Sequence, residues 1–465
     1  MRYLSTRGQA PRLGFAEATL AGLASDGGLY VPEDWPSFSR EDIAALTGLS
    51  YAEAAARVLA PFVDDAIDEA ALLSLCEQAY GRFGHAAVTP LAQLDERHWL
   101  LELFHGPTLA FKDVALQLLG LLFERFLEGT GRRLTIVGAT SGDTGSAAIE
   151  AVAGAAHADI FMLYPEGRVS DVQRRQMTTV DASNVHAIAI DGDFDTAQAL
   201  VKAAFADRAF AEQRSLSAVN SINWARLAAQ VVYYFYAAVR LGAPDRAVAF
   251  SVPTGNFGDV FAGYVAARMG LPVERLIVAT NVNDILARAL ASGDYSVGAV
   301  MPTATPSMDI QVSSNFERLL FDMHGRDAGT LSSAMRGFEA TRAMRIPADA
   351  LSRAGLFAPA RVDHAAMTEA MRWAQARAGQ VIDPHTAVAL AAARAADLPR
   401  DVPLVTLATA HPAKFGDAVA AATGFRPVLP ERLAGLMDRP ERIERLPATL
   451  AALQGFIAER GAATA

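Results

Sequence analysis

Short apolar runs alternate with amphipathic segments along most of the chain after about residue 98. The apolar runs predict buried strands at Leu134–Val137, Ile160–Leu163, Val185–Ile190, Val248–Val252, Leu276–Val278 and Leu404–Leu407. After Asp113, apolar residues recur at the spacing of a helix, at Val114, Leu118, Leu121, Leu122 and Phe126. Strands that alternate with helices predict parallel sheets covered on both faces, which is an α/β fold.

The two ends of the chain have different patterns. Residues 1–95 predict an N-terminal unit, with a turn and an extended segment at Ser25–Pro32 and Ala-rich helices near 51–61 and 66–80. The tail after Pro427 is more charged, and we expect it to be helical and to pack on the outside. A chain of 465 residues can bury a sizeable core and is expected to hold two or three domains.

Composition and charge narrow the class of protein. A content of 52% hydrophobic residues fits a soluble, helix-rich enzyme, and a net charge of −10 argues against a nucleic-acid partner. The first residues have no apolar run typical of a secretory signal, and no stretch is long and apolar enough to span a membrane. The single cysteine, Cys76, excludes an internal disulfide and a cysteine-based metal cluster. We therefore expect a cytoplasmic protein without a metal site.

Lysine is rare in this chain. Only three of its 41 lysine and arginine residues are lysines, namely Lys112, Lys202 and Lys414. An amine can lose its proton and condense with a carbonyl, which a guanidinium cannot do. Lys112 lies at or just before a predicted helix N-terminus, where the helix dipole should lower its pKa. Lys112 is thus a candidate nucleophile, although a solvated surface lysine is the simpler alternative.

Three polar loops follow predicted strands, where ligands bind in open α/β sheets. The loop Ala139–Ser146 combines glycines with the hydroxyls of Thr140, Ser141 and Thr144 before a helix, which predicts an anion site. The loop Gly255–Asp259 can wrap a phosphate, and we expect the Asp259 carboxylate to point away and cap backbone donors. The third loop offers the neutral hydroxyl of Thr409.

A reactive lysine, a phosphate loop, an anion loop and a neutral hydroxyl together suggest pyridoxal phosphate as cofactor. Long motifs then make the chain resemble the threonine synthase family over nearly its whole length, in the longer form with an N-terminal domain. The motifs are Gly22–Pro32, His105–Asp113, Gly138–Ala147, Asn220–Arg226, Pro253–Asp259, Pro306–Glu317 and Thr409–Phe415.

The resemblance implies a fold-type-II pyridoxal phosphate enzyme, in which two parallel-sheet α/β domains hold the cofactor between them and an N-terminal domain precedes them. Applied to this chain, it gives an N-terminal domain at 1–95, a large cofactor-binding domain at 96–130 and 232–430, a small domain at 131–231 and a helical tail at 431–465. The implied reaction converts O-phospho-L-homoserine and water to L-threonine and phosphate.

The resemblance also implies roles for individual residues. Lys112 matches the lysine that forms the Schiff base with the cofactor, and Thr409 matches the residue that faces the pyridine nitrogen. The matching phosphate loop consists of Gly255, Asn256, Phe257, Gly258 and Asp259. The loop expected to meet the substrate carries Ser141, Asp143 and Thr144.

The ligands of the substrate phosphate stay open at this stage. The candidates by residue type are Arg168, Arg174, Arg175, Lys414 and His411, each of which could equally be solvated. Three alternative functions also remain: a dehydratase of the same fold, a phospholyase descended from threonine synthase, and a catalytically silent binding protein. Intact Lys112 and Thr409 argue against the silent protein.

Overall fold

The computed structural model describes residues 1–218 and 221–461. The strands are β1 (Tyr3–Ser5), β2 (Tyr30–Pro32), β3 (Leu91–Gln93), β4 (His98–Glu102), β5 (Leu134–Ala139), β6 (Ala158–Pro165), β7 (Val185–Ile190), β8 (Leu216–Ser217), β9 (Val248–Pro253), β10 (Val273–Thr280), β11 (Asp294–Ser296), β12 (Ala343–Arg345), β13 (Phe357–Arg361), β14 (Leu404–Ala408) and β15 (Glu444–Leu446). All six strands predicted from apolar runs are present, as β5, β6, β7, β9, β10 and β14.

The α-helices are α1 (Phe15–Ala21), α2 (Arg40–Ala44), α3 (Tyr51–Val63), α4 (Glu69–Tyr80), α5 (Lys112–Leu127), α6 (Asp143–Val152), α7 (Asp171–Thr178), α8 (Phe194–Ala206), α9 (Arg208–Gln213), α10 (Trp224–Arg240), α11 (Gly258–Arg268), α12 (Ile285–Ser292), α13 (Phe316–Met323), α14 (Ala328–Thr341), α15 (Ala348–Leu351), α16 (His364–Ala378), α17 (Pro384–Ala395), α18 (Gly416–Thr423) and α19 (Leu450–Arg460). Short 3₁₀ turns lie at Asp64–Ala66, Pro306–Met308, Ser352–Ala354, Pro412–Phe415 and Glu431–Asp438.

The larger sheet has six strands in the order β13-β10-β9-β14-β4-β3. Its neighbours are parallel except at one edge, where β3 pairs antiparallel with β4. The predicted parallel sheet is present, and β3 adds one antiparallel strand at its edge. The reason is the tight turn between the two strands, because a short connection can join only antiparallel neighbours.

The smaller sheet has five strands, all parallel, in the order β15-β7-β6-β5-β8. Its outer strand β15 belongs to the C-terminal tail, so the prediction of a purely helical tail is wrong. The three residues of β15 include two charged side chains and form no apolar run, which is why the pattern did not reveal the strand. The described part of the tail also contains the 3₁₀ turn Glu431–Asp438 and α19, whose Leu453 and Ile457 pack on the core of this sheet.

The N-terminal segment packs on a buried helix. β1 and β2 form a two-stranded antiparallel sheet, and α3 and α4 lie against each other. Helix α10 is buried along nearly its whole length because helices α3, α5 and α11 surround it. Trp224 at its start contacts the rings of Tyr3, Trp35 and Phe62. The domain boundaries themselves stay a prediction.

The predicted site loops lie at the carboxyl ends of strands in both sheets. Gly138–Thr144 ends β5 and begins α6, Gly255–Asp259 joins β9 to α11, and Thr409 directly follows β14. Within the described part of the chain, no helix is both long and apolar enough to cross a membrane. The same residues contain no cluster of His, Cys, Asp and Glu suited to holding a metal ion.

Candidate active site

Lys112 is the first residue of α5, as the helical pattern predicts, and its side chain is only 11% exposed. Burial lowers the pKa of Lys112. The carboxylate of Asp143, 3.7 Å from the Lys112 Nζ, opposes this shift, whereas the positive charges of Arg226 and Lys414 add to it. The lowered pKa expected from the sequence is therefore present, with burial as its largest cause. A buried amine whose pKa is lowered is better suited to condense with an aldehyde than an exposed lysine is.

Thr409 is held next to the start of α5 by the backbone. The N–H of Phe111 donates to the carbonyl oxygen of Thr409 at 2.8 Å, and Ala110 and Ala410 form a β-bridge. The side chain of Thr409 is buried. Backbone hydrogen bonds therefore hold the residues that precede Lys112 against those around Thr409, at the end of the larger sheet.

The loop after β5 is shaped by its own hydroxyl and by a glycine. Thr140 Oγ1 accepts hydrogen bonds from the N–H groups of Gly142 and Gly145, both at 2.9 Å. Gly142 has a φ of 138°, and a Cβ there would lie 2.4 Å from the side chain of Gln173. A side chain at this position would therefore displace Gln173 and strain the backbone.

The three predicted substrate residues of this loop differ in exposure. Ser141 is exposed and Thr144 is half-buried, while Asp143 is buried. Asp143 Oδ1 accepts from Lys414 Nζ and from Gln173 Nε2, each at 2.8 Å. The structure places the Asp143 carboxylate between two lysines. Contact of Asp143 with the substrate stays a prediction.

The phosphate loop after β9 leaves backbone donors free. Among the described residues, no acceptor pairs with the N–H groups of Gly255, Asn256 and Phe257. Phe257 adopts a left-handed conformation with φ 65° and occupies the N-cap position of α11, where its side chain makes no capping hydrogen bond. A Cβ on Gly255 would lie 2.6 Å from the carbonyl oxygen of Ser307. Free N–H groups ahead of a helix N-terminus fit the phosphate of pyridoxal phosphate.

The stretch Pro306–Glu317 supports the phosphate loop from behind. Ser313 Oγ donates to the carbonyl oxygen of Gly255 at 2.8 Å. Asn315 donates to the carbonyl oxygen of Asn256 through its backbone N–H at 3.0 Å and its side-chain amide at 3.1 Å. The carbonyl groups of Gly255 and Asn256 thus point towards Ser313 and Asn315. The N–H groups on the other side of the loop are left for a ligand.

Asp259 does not cap backbone donors, so that prediction is wrong. Its Oδ1 accepts from the hydroxyls of Tyr233 and Tyr234, two residues of α10. Burial raises the pKa of Asp259 to about 6, although the tyrosine hydrogen bonds and the charge of Lys112 act in the opposite direction. The carboxylate is held against α10, and the sequence could not show which helix packs there.

Four of the five residues suggested as ligands of the substrate phosphate are poorly suited to that role. Three of them pair with carboxylates of the protein, and the fourth is uncharged. Arg174 and Arg175 both pair with Glu441 of the tail. Lys414 pairs with Asp143. Burial lowers the pKa of His411 to about 4, so its ring is neutral at neutral pH.

Arg226 is a further residue of this site that residue type alone did not identify. It is buried in the first turn of α10, and its Nη1 has no hydrogen-bond partner among the described residues. Burial lowers the pKa of Arg226 to about 10, and its charge in turn lowers the pKa of Lys112. Its position in the motif Asn220–Arg226 was the available signal. Within that motif, Asn223 caps α10, and Asn220 lies outside the described residues.

Three family models match the chain along most of its length. The family model "Threonine synthase N terminus" matches residues 2–80, "Pyridoxal-phosphate dependent enzyme" matches 83–360 and "Threonine synthase, C-terminal" matches 386–457. A threonine synthase of Pseudomonas aeruginosa is 53% identical over 463 residues, which are 99% of each chain.

Two solved structures of threonine synthases superpose closely on the chain. The pyridoxal-phosphate-bound enzyme from Brucella melitensis has a TM-score of 0.97 and 53% identity and covers 99% of both chains. The yeast enzyme has a TM-score of 0.94 and 38% identity, covering 99% of this chain and 98% of its own.

The two parallel-sheet units, the buried lysine and the phosphate loop define a fold-type-II pyridoxal-phosphate-dependent lyase with an additional N-terminal domain. Within that class, the matches extend from residue 2 to residue 457 and are not limited to the cofactor-binding part. The chain belongs to the threonine synthase family.

Proposed function

We propose that this protein converts O-phospho-L-homoserine and water to L-threonine and phosphate. The observation that carries the proposal is the buried Lys112 amine beside Asp143 at the start of α6. Phe111, the residue before Lys112, donates its N–H to the carbonyl oxygen of Thr409. Full-length similarity to threonine synthases supports the same reaction. The small-molecule substrate and the acidic chain both fit an enzyme of amino-acid biosynthesis.

Lys112 performs the acid–base chemistry in this proposal. Bound pyridoxal phosphate supplies the electron sink that acidifies the protons next to the substrate amine. The Lys112 amine would hold the cofactor, and it would also remove the α-proton of the bound substrate and help to move the β-proton. Phosphate leaves from Cγ, Cγ takes up a proton to become the methyl group, the hydroxyl of water adds at Cβ, and Lys112 returns a proton to Cα. An amine whose pKa is lowered by burial loses its proton more readily than an exposed lysine does, which suits it to act as a base.

The cofactor's two polar ends have separate partners. The N–H groups of Gly255–Asp259 and the N-terminus of α11 would bind its phosphate. The hydroxyl of Thr409 would be the partner of the pyridine nitrogen. A neutral hydroxyl does not favour a protonated ring nitrogen as a carboxylate would, so it moderates the electron sink and favours elimination over transamination.

The substrate also carries two anionic groups. We assign its carboxylate to the hydroxyls of Ser141 and Thr144 at the N-terminus of α6, where the helix dipole favours an anion. We assign its phosphate to Arg226, because this buried guanidinium has an unpaired Nη1 and influences Lys112 electrostatically. Asp143 would repel either anion, and its pairing with Lys414 reduces that repulsion.

A product assay tests the proposed function. Purified protein with pyridoxal phosphate is incubated with O-phospho-L-homoserine, and phosphate and threonine are quantified together. Equal amounts of the two products support a threonine synthase. Phosphate with a keto acid and no threonine would indicate the phospholyase, and no turnover with bound cofactor would indicate the silent protein.

The proposed place of action is the cytoplasm. The only cysteine, Cys76, is a free, buried thiol, and burial raises its pKa to about 12. A chain that is stable without disulfides suits a reducing compartment.

A further inference from the structure

Two of the chain's three lysines share one carboxylate. Lys414 Nζ lies 2.8 Å from Asp143 Oδ1, and Lys112 Nζ lies 3.7 Å from Asp143 Oδ2. The side chain of Lys414 is completely buried, and its Nζ also donates to the carbonyl oxygen of Thr108 at 2.7 Å. Lys414 is therefore the closer partner of Asp143, and Lys112 is the more distant one.

Asp143 needs a permanent cation because it is buried. Burial would raise the pKa of Asp143, but the charges of Lys414 and Lys112 and the hydrogen bonds from Lys414 and Gln173 outweigh it and hold the pKa well below its usual range. If Lys112 were the only cation, the carboxylate would keep Lys112 protonated, since breaking a buried ion pair is costly. With Lys414 present, Asp143 remains paired when Lys112 loses its proton.

We infer that Lys414 is a positioning residue, which takes up the charge of Asp143 and so frees the Lys112 amine to lose its proton and receive the cofactor. This inference rests on the assignment of Lys112 in the proposed function. It also accounts for a lysine that does not contact solvent: Lys414 joins Asp143 of α6 to Thr108 in the loop before α5.

Other charged groups near Lys112 are held by their own partners. The carboxylate of Asp113 on α5 accepts from the backbone N–H and the hydroxyl of Thr108, and that of Asp259 on α11 accepts from tyrosines of α10. Burial raises the pKa of both carboxylates to about 6. Arg226 on α10 adds a cation that lowers the pKa of Lys112. Asp143 is the carboxylate that forms an ion pair with Lys112. A group that pairs with Asp143 therefore changes the pKa of Lys112.

The pH dependence of cofactor attachment tests this role. The full chain, stripped of cofactor, is mixed with pyridoxal phosphate at a series of pH values, trapped with borohydride after a fixed time and digested. Mass spectrometry then quantifies the pyridoxyl adduct on the Lys112 peptide, with the exposed Lys202 as internal reference. The midpoint of the attachment rate against pH reports the loss of the proton from Lys112.

The two single variants should shift this midpoint in opposite directions. Lys414→Met removes a cation that lowers the pKa of Lys112 and leaves Asp143 to pair with Lys112, so the midpoint should rise by about one to two pH units. Asp143→Asn removes the carboxylate that raises this pKa, so the midpoint should fall by a similar amount. Lys414→Arg keeps the charge and should keep the midpoint near the wild-type value.

The double variant Asp143→Asn/Lys414→Met removes both charges and leaves neither buried unpaired. Its midpoint should return close to that of the wild type, and it remains informative if Lys414→Met alone fails to fold. An unchanged midpoint in Lys414→Met, or an unchanged or raised midpoint in Asp143→Asn, would overturn the inference. Absence of any adduct on Lys112 in the wild type would instead overturn the assignment of Lys112 in the proposed function.

Discussion

At the scale of single residues, the scarcity of lysine makes Lys112 directly testable. Lys112→Arg keeps the positive charge and nearly the length, but a guanidinium does not condense with an aldehyde and does not shuttle a proton at neutral pH. The variant should fold, lack the visible absorbance of the covalently bound cofactor and lose activity by roughly a thousand-fold or more. Steady-state kinetics and an absorbance spectrum measure both effects.

Lys202→Arg is the matched control, because Lys202 is an exposed residue of α8 and should tolerate the change. Borohydride reduction of the wild-type protein and peptide mapping identify the attached lysine independently. An adduct on Lys202 or Lys414 would contradict the proposed mechanism.

A substitution of Thr409 tests whether a neutral partner of the pyridine nitrogen is needed for the reaction. Thr409→Asp places a carboxylate where the neutral hydroxyl faces the ring nitrogen, and a carboxylate partner favours the protonated ring. Threonine formation should fall by about a hundred-fold or more, with a larger share of abortive side products. Thr409→Ser keeps a hydroxyl and serves as the control. Wild-type turnover in Thr409→Asp would show that Thr409 does not face the nitrogen.

Residue type singled out Lys112 as the candidate for the cofactor lysine but did not identify the residues around it. Lys112 stood out because the chain uses arginine almost everywhere else. The pairing of Lys414 with Asp143 joins residues more than 250 positions apart, so no local pattern could show it. The unpaired Nη1 of Arg226 could not be predicted either, because it depends on the packing of α10.

At the scale of elements, the loop between β9 and α11 depends on the turn that lies behind it. Gly255→Val would bring a Cβ to 2.6 Å from the carbonyl oxygen of Ser307, which belongs to the 3₁₀ turn Pro306–Met308. The loop must then move, and its N–H groups no longer meet the cofactor phosphate. Affinity for pyridoxal phosphate should weaken by about tenfold or more while the far-ultraviolet circular dichroism is retained.

Gly337→Val in α14 is the matched control for this change. A Cβ at Gly337 meets no atom within 4 Å, so cofactor binding should be unaffected. Titration of the cofactor-stripped protein with pyridoxal phosphate measures both variants. An unchanged affinity in Gly255→Val would mean that this loop does not hold the phosphate.

Elements with long apolar patterns were predictable, and short ones were not. The six predicted strands lie in the interiors of the two sheets, where burial on both faces gives continuous apolar runs. In the smaller sheet, the strands missed by the pattern are β8 and β15, which have two and three residues and lie at its edges. Their pairing is decided by distant partners, because so few residues carry little periodicity of their own.

At the scale of the whole molecule, the C-terminal tail adds the last strand of the smaller sheet. This strand follows all strands of the larger sheet in the sequence. β15 extends the sheet beyond β7, and α19 covers a cluster that includes Phe161 and Ile188. Glu441, just before β15, pairs with Arg174 and Arg175 of α7. The smaller sheet, which supplies Asp143 to the site, therefore depends on residues near the end of the sequence.

Ile457→Ala tests this dependence, because Ile457 of α19 is fully buried against the smaller sheet. Removing its side chain leaves a cavity and should destabilise this region by about 2–4 kcal/mol. Native-state amide exchange should then accelerate in β6 and β7, whereas β9 and β10 of the larger sheet keep their protection. Glu459→Ala changes an exposed residue of the same helix and should stay within about 0.5 kcal/mol of the wild type. Equal acceleration of exchange in both sheets would show that the tail stabilises the molecule as one cooperative unit, and not the smaller sheet in particular.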